Sequence, residues 1–405
     1  MTENRFRIWI FFSILSFWVV SAIGMLMRYK IGFEFPIFYQ KYLLHAHSHF
    51  AFSGWVSQTL MILMVYIIRN QLSINRKHIY QRIFLANLIN SYGMLISFAA
   101  QGYGIFSIVF STLSIVLLFI FSYLFIQDLI HKNLVSSNLW LIAALFFNVI
   151  SVFGTAKLIS LIATKQVAQN QDAYLASIFW YLHFQYNGWF FFGLVGIFSH
   201  FLENSYPIKL SKRIFYLFVC SCIPTYGLSL LWASLPTWVY LIVVIGSVAQ
   251  VYAWILLVKK LFSSTLNIFQ PSNLLLVVFI VAATIKFLLQ LFSVVPEISQ
   301  LAFGYRPIVI AYLHLVLLAM ISMLLIYLCL VNNLLEENVR FRIGVATVVT
   351  GVVLNELVLL IQGIAFLNYH AIPGTNEVLF GVSVLIFLGI SQLFFSQKSV
   401  LKSLR

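Results

Sequence analysis

The sequence predicts an all-α, polytopic membrane protein with about twelve transmembrane helices in three repeats of four. Three observations carry this. Hydrophobic residues make up 62% of the 405 and charged residues only 8%, with a mean hydropathy of +0.99, whereas a soluble domain carries about 25% charge. The apolar residues gather into runs of the length, about twenty residues, that a helix needs to cross a bilayer. One short histidine motif also returns at a long, nearly constant interval. A soluble globular enzyme, a disordered chain and a disulfide scaffold are excluded by the same composition.

In chain order the runs are 8–27, 43–68, 80–101, 105–127, 138–163, 175–201, 212–233, 237–258, 272–295, 307–331, 342–367 and 377–396. Strands of a membrane barrel would alternate with period two over about ten residues. These runs are longer and apolar all round, so they read as helices. The first ends in Met-Arg-Tyr-Lys without a small-residue cleavage site and is read as a span, not a leader. Residues 1–405 form one transmembrane domain, with repeats at about 1–132, 133–262 and 263–405.

The net charge is +14. On a soluble chain that would suggest nucleic acid, but here the cations flank the apolar runs, and no nucleic-acid partner is expected. Seventeen lie at the termini or on even-numbered connections: Arg5, Arg7, Arg69, Arg76, Lys77, Arg82, Lys132, Lys209, Lys212, Arg213, Lys259, Lys260, Arg340, Arg342, Lys398, Lys402 and Arg405. Five lie on odd connections, and Lys157 and Lys286 fall inside runs. The positive-inside rule then puts both termini in the cytoplasm. Cys220, Cys222 and Cys329 sit inside apolar runs and suggest neither disulfides nor a zinc knuckle.

His49-Phe-Ala-Phe-Ser-Gly54-Trp55 opens the second run, and His183-Phe-Gln-Tyr-Asn-Gly188-Trp189 lies in the sixth. Both read His-x4-Gly-Trp. The tenth carries Tyr312-Leu313-His314, echoing Tyr181-Leu182-His183. Runs two, six and ten are four apart, as a threefold repeat requires. Histidine is costly in lipid and marks a functional site by default, and neutral imidazole is a common axial ligand of haem iron. Gly54 and Gly188 would let a flat macrocycle or a neighbouring helix come close. His45, His47 and His49 form the densest cluster. His45 and His49 share a helix face, and His47 faces another way. His49 is favoured because the repeat includes it, but the choice among the three stays open. For His183, an interhelical hydrogen bond competes with ligation. His78, His131, His200 and His370 are read as interfacial. In the eleventh run, Glu356 could pair with Lys286 or Lys157, bond Gln362, or relay protons.

On these residues the chain resembles subunit I of the haem–copper oxidase superfamily, the large subunit of cytochrome c oxidases and nitric oxide reductases. The resemblance implies twelve spans in three arcs of four and metal ligands near the outer face on spans two, six, seven and ten. Tyr312-Leu-His314-Leu-Val-Leu looks like the family's tenth-span ligand segment. His314 falls on the low-spin haem ligand, Tyr312 where a second haem's ligand belongs, and the His45–His49 cluster near the other low-spin ligand. His183 falls near a copper ligand. Lys157, Lys286 and Arg306 lie where haem propionates would point. Span seven departs from the pattern, since Phe218-Val-Cys220-Ser-Cys222-Ile-Pro-Thr-Tyr226 has no histidine.

The resemblance thus implies a divergent member in a bacterial inner membrane. It would hold a b-type haem between two histidines, with an incomplete copper site and a possible oxidoreductase role in respiratory electron transfer or oxygen and nitric oxide chemistry. Its partners would be the bilayer, respiratory subunits, and a quinol or cytochrome donor. The rivals are a non-catalytic structural, assembly or sensor protein, and a transporter that binds no haem.

Overall fold

The computed structural model describes residues 2–400 except 34, 131–136, 207, 234, 264–265, 267, 269–272, 300–305 and 399. His131, Lys132, Lys402, Arg405 and the Arg306 side chain lie outside the described residues. Among the described residues every element is helical. The long helices are α1 Glu3–Gly32, α2 Gln40–Gln71, α3 Ile74–Gln101, α4 Ile105–Ile130, α5 Ser137–Ala163, α6 171–205, α7 Lys212–Leu230, α8 Thr237–Phe262, α9 Leu274–Phe292, α10 Pro307–Val331, α11 Val339–Leu367 and α12 Thr375–Ser396. Eleven of these are long and apolar enough to cross a membrane, so the protein is a polytopic membrane protein. The remaining one, α6, is a continuous helix, but His183, Gln185 and Asn187 lower its hydropathy.

Three of the helices change their winding at the same place. The wider π form occupies Ala51–Ser57 in α2, Phe184–Phe190 in α6 and Leu315–Ser322 in α10. Each segment begins one or two residues after a histidine of the recurring motif. π turns are rare and are frequently found at functional sites.

The helices gather into two compact units, one of residues 1–131 and 325–405, the other of residues 132–324. In the first unit α1 packs on α2 and α12, α2 on α3, α3 on α4, and α11 on α12. Asn87 of α3 braces the π segment of α2 by donating to the Ser53 carbonyl and to Gln58 Oε1, at 3.2 and 2.8 Å. A wide turn leaves backbone carbonyls that need such partners where no water can reach. In the second unit the π segment of α6 is tied to its neighbour through side chains. Gln185 in the π segment of α6 donates to Asn148 Oδ1 and Ser151 Oγ of α5, at 3.1 and 2.8 Å.

The α11–α12 pair approaches through small residues, the usual route to close packing when lipid supplies no hydrophobic drive between helices. A Cβ on Gly389 would lie 2.7 Å from the Val348 backbone nitrogen, and one on Gly344 would lie 2.9 Å from the Gly389 carbonyl oxygen. Backbone cannot swing aside as a side chain can. Gly389→Ala is therefore expected to destabilise by about 1–3 kcal/mol. Gly381→Ala, on the same helix with nothing within 4 Å, is expected to be neutral or to gain up to about 1 kcal/mol from helix propensity. Thermal midpoints of the two variants in one detergent check this, and equal midpoints would contradict the packing.

Candidate functional site

The histidine cluster of α2 lies in the first unit. His47 reaches α1, where its Nδ1 is 3.1 Å from the Val20 carbonyl oxygen. A carbonyl only accepts, so Nδ1 carries the proton and Nε2 keeps the lone pair. Gly24 makes room for this ring, since a Cβ there would lie 3.2 Å from His47 Cε1. His49 stacks flat on Phe98, with centroids 4.3 Å apart and 5° between planes. Its Nε2 meets the Tyr103 hydroxyl at 3.4 Å. His45 sits edge-on to Tyr103, with ring centroids 4.6 Å apart, and its Nε2 is buried without a hydrogen-bond partner among the described residues. An orphaned buried nitrogen is expensive, and an imidazole lone pair is what a metal ligand supplies.

In the second unit, His183 is 1% exposed and both its nitrogens are engaged. Nε2 donates to the Cys222 carbonyl at 2.8 Å, and Nδ1 accepts from Asn187 Nδ2 at 3.1 Å. So bonded, His183 offers no lone pair to a metal. The Cys222 carbonyl is available because α7 tightens into a 3-10 turn at Pro224–Leu230. In an α-helix it would take the Tyr226 N–H, but that group bonds the Ile223 carbonyl instead, at 3.2 Å. Thr225 Oγ1 also donates to the Cys222 carbonyl, at 3.2 Å, and accepts from Gln250 Nε2 of α8 at 3.0 Å. Cys222 is buried and Cys220 exposed, so the two thiols do not share a face.

His314 on α10 donates from Nδ1 to the Ile310 carbonyl one turn back, at 2.8 Å. This fixes the tautomer that keeps the lone pair on Nε2, the arrangement usual for metal-binding histidines. The Tyr312 ring packs edge-on against that of Tyr186 of α6, with ring centroids 6.3 Å apart. Among the described residues, no three or more His, Cys, Asp or Glu side chains gather as a metal-ligand set.

The cations separate. Lys157 is exposed on α5. Lys286 is 1% exposed, with its ammonium 3.9 Å from the Phe287 ring centre and 5.9 Å from that of Phe191. Cation–π contact of this kind is attractive and strengthens when desolvated. Glu356 accepts from Asn355 Nδ2 at 3.1 Å and feels the charge of Arg28 within its own unit. Those neighbours differ from the Lys286, Lys157 or Gln362 partners expected from the sequence. The two motif glycines are occupied by phenylalanine. A Cβ on Gly188 would lie 2.4 Å from Phe147 Cβ of α5, and one on Gly54 would lie 2.7 Å from the Phe50 ring. Of the two uses expected for these glycines, close approach of a neighbouring helix is the one found at Gly188.

Residues that sequence reasoning missed include Asn87, Asn148, Ser151 and Gln250. Their signal was an amide or hydroxyl inside an otherwise apolar run, where an unpaired polar group would be costly. No family model matches the chain, and no curated protein matches it in sequence.

Proposed function

We propose that the protein is a haem-binding integral membrane protein of the haem–copper oxidase type. In this reading twelve spans form three arcs of four in a bacterial inner membrane, with both termini cytoplasmic. The coincidence of three π segments with the recurring histidine on α2, α6 and α10 supports the threefold arrangement. The reading takes a b-type haem held by two histidines. The candidates are His314 on α10 and one of His45, His47 and His49 on α2.

The donor chemistry fits. His314 and His47 each give Nδ1–H to a main-chain carbonyl and keep the lone pair on Nε2, and His45 Nε2 is buried and unpartnered. The His314–Ile310 bond is the observation that carries the proposal. On α2, His45 is the first choice, because Tyr103 engages His49 Nε2. A haem so held would supply one-electron transfer, with a respiratory subunit, a cytochrome or quinol as donor. The chain's own part is to fix imidazole tautomers and exclude water.

A reading without gas reduction is favoured over a complete oxidase because both nitrogens of His183 are engaged. Copper is therefore not assigned to His183, and Lys286, packed on phenylalanine rings, is not assigned to a propionate.

Topology is tested by reporter fusions after Asn75, after Asn170 and at the C-terminus. The first and last are expected to report cytoplasm and the second the outside. A periplasmic C-terminus would overturn the arrangement of three arcs of four.

A further inference from the structure

We propose that a groove between the beginnings of α1 and α3 is a binding site for the headgroup of an anionic phospholipid. Arg5, Ile8 and Trp9 fall at positions i, i+3 and i+4 of α1, so they share a face. His78, Arg82 and Leu85 do the same on α3, at i, i+4 and i+7. Together the two faces line a groove of about 430 Å³. On each helix the cations come first and the apolar residues lie one to two turns further in. The groove therefore grades from charge at the helix ends to hydrocarbon at depth, in the order of a phosphodiester and its acyl chain.

Among the described residues no carboxylate compensates the charge in the groove. Glu3 is paired with Arg7 at 3.7 Å. Asp128 is taken by Arg76 and by the Tyr80 hydroxyl, at 3.0 and 2.6 Å. Arg5 donates only to a neutral amide, Gln81 Oε1 of α3, at 3.4 Å, which ties it to the groove wall. Neither His78 nor Arg82 has a hydrogen bond or ion pair among the described residues. Two arginines and a histidine without a carboxylate call for an anion. The Ile8, Trp9 and Leu85 wall, with Leu85 49% exposed, calls for that anion to carry a hydrocarbon chain. Basic pockets between helix ends bind lipid phosphates in this way. That the leaflet is the cytoplasmic one rests on the orientation proposed above, whereas the occupancy of the groove does not.

The test is native mass spectrometry of the full chain in detergent with equimolar dioleoylphosphatidylglycerol and dioleoylphosphatidylcholine. The wild type is expected to retain phosphatidylglycerol in preference. Arg5→Gln with Arg82→Gln is expected to weaken retention by about tenfold, on the scale of lost charge-assisted hydrogen bonds. The single Arg82→Gln variant should fall between, and Lys260→Gln, at another helix end, should match the wild type. Thermal midpoints establish that the variants are folded. Soluble glycerol 3-phosphate is expected not to displace the lipid. Equal retention of the two lipids, an unchanged preference in the double variant, or displacement by glycerol 3-phosphate would each overturn the proposal. Haem content plays no part in the readout, so its failure is distinct from failure of the haem assignment.

Discussion

Replacing His314 with Ala is expected to abolish the low-spin haem spectrum of the purified protein, while replacing His370 leaves it unchanged. The wild type, from haem-replete cells, should show paired alpha and beta bands on reduction. His314 is the tenth-helix residue whose Nδ1 proton is pinned on the Ile310 carbonyl, and in the haem reading proposed above its replacement would remove one of the two imidazoles that would hold the iron. His370 lies exposed beyond the end of α11 and serves as the control. Of the α2 variants, His45→Ala should come nearest to the loss seen at His314. His47→Ala should be partly structural, because it removes the tie to Val20. A colourless wild type, or an unaltered spectrum in His314→Ala, would sink the assignment.

Turnover of oxygen or nitric oxide by the pure protein with a reduced donor is expected to stay at the level of the protein-free blank. In the haem–copper reading proposed above, such chemistry would fall to a second metal with open coordination, and the residues which that reading puts there are already used. His183 is bonded at both nitrogens, Tyr312 packs edge-on against Tyr186, and the thiols of Cys220 and Cys222 are divided between surface and interior. Lys286 brings a cation, not a ligand, to the same unit. Rapid, cyanide-sensitive gas consumption would show this wrong and would require His183 to leave its present partners.

The helical fold was legible because lipid imposes it. A run of twenty apolar residues has few alternatives to a helix, and the expected run 43–68 corresponds to the helix Gln40–Gln71. Changes of winding within helices were not legible. A helix that is apolar all round carries no polar stripe whose phase could slip, so the π segments left no mark on the periodicity. The break at Pro224 did have a signal, because proline lacks the N–H that an α-helix needs. Its consequence did not. The Cys222 carbonyl becomes an acceptor for His183, and a main-chain acceptor has no letter in a sequence. The histidines themselves were found from their cost in lipid, yet which nitrogen each one commits depends on backbone atoms on other helices or one turn away.

The three π segments also make each of their helices longer by one residue than an α-helix of equal span. A single added residue turns everything beyond it by about 100°. In α2, α6 and α10 the histidine-bearing part and the part after the π segment are thus set at an angle that an unbroken α-helix would not give. Winding Ala51–Ser57 as regular α-helix without removing a residue, for example, would rotate His45 and His49 off the Phe98–Tyr103 wall they now rest against, whereas deleting one residue there would let α2 close into regular winding with the two rings in place. The wide turns therefore act as angular spacers, and their length, more than the identity of the residues within them, sets the direction in which these imidazoles point.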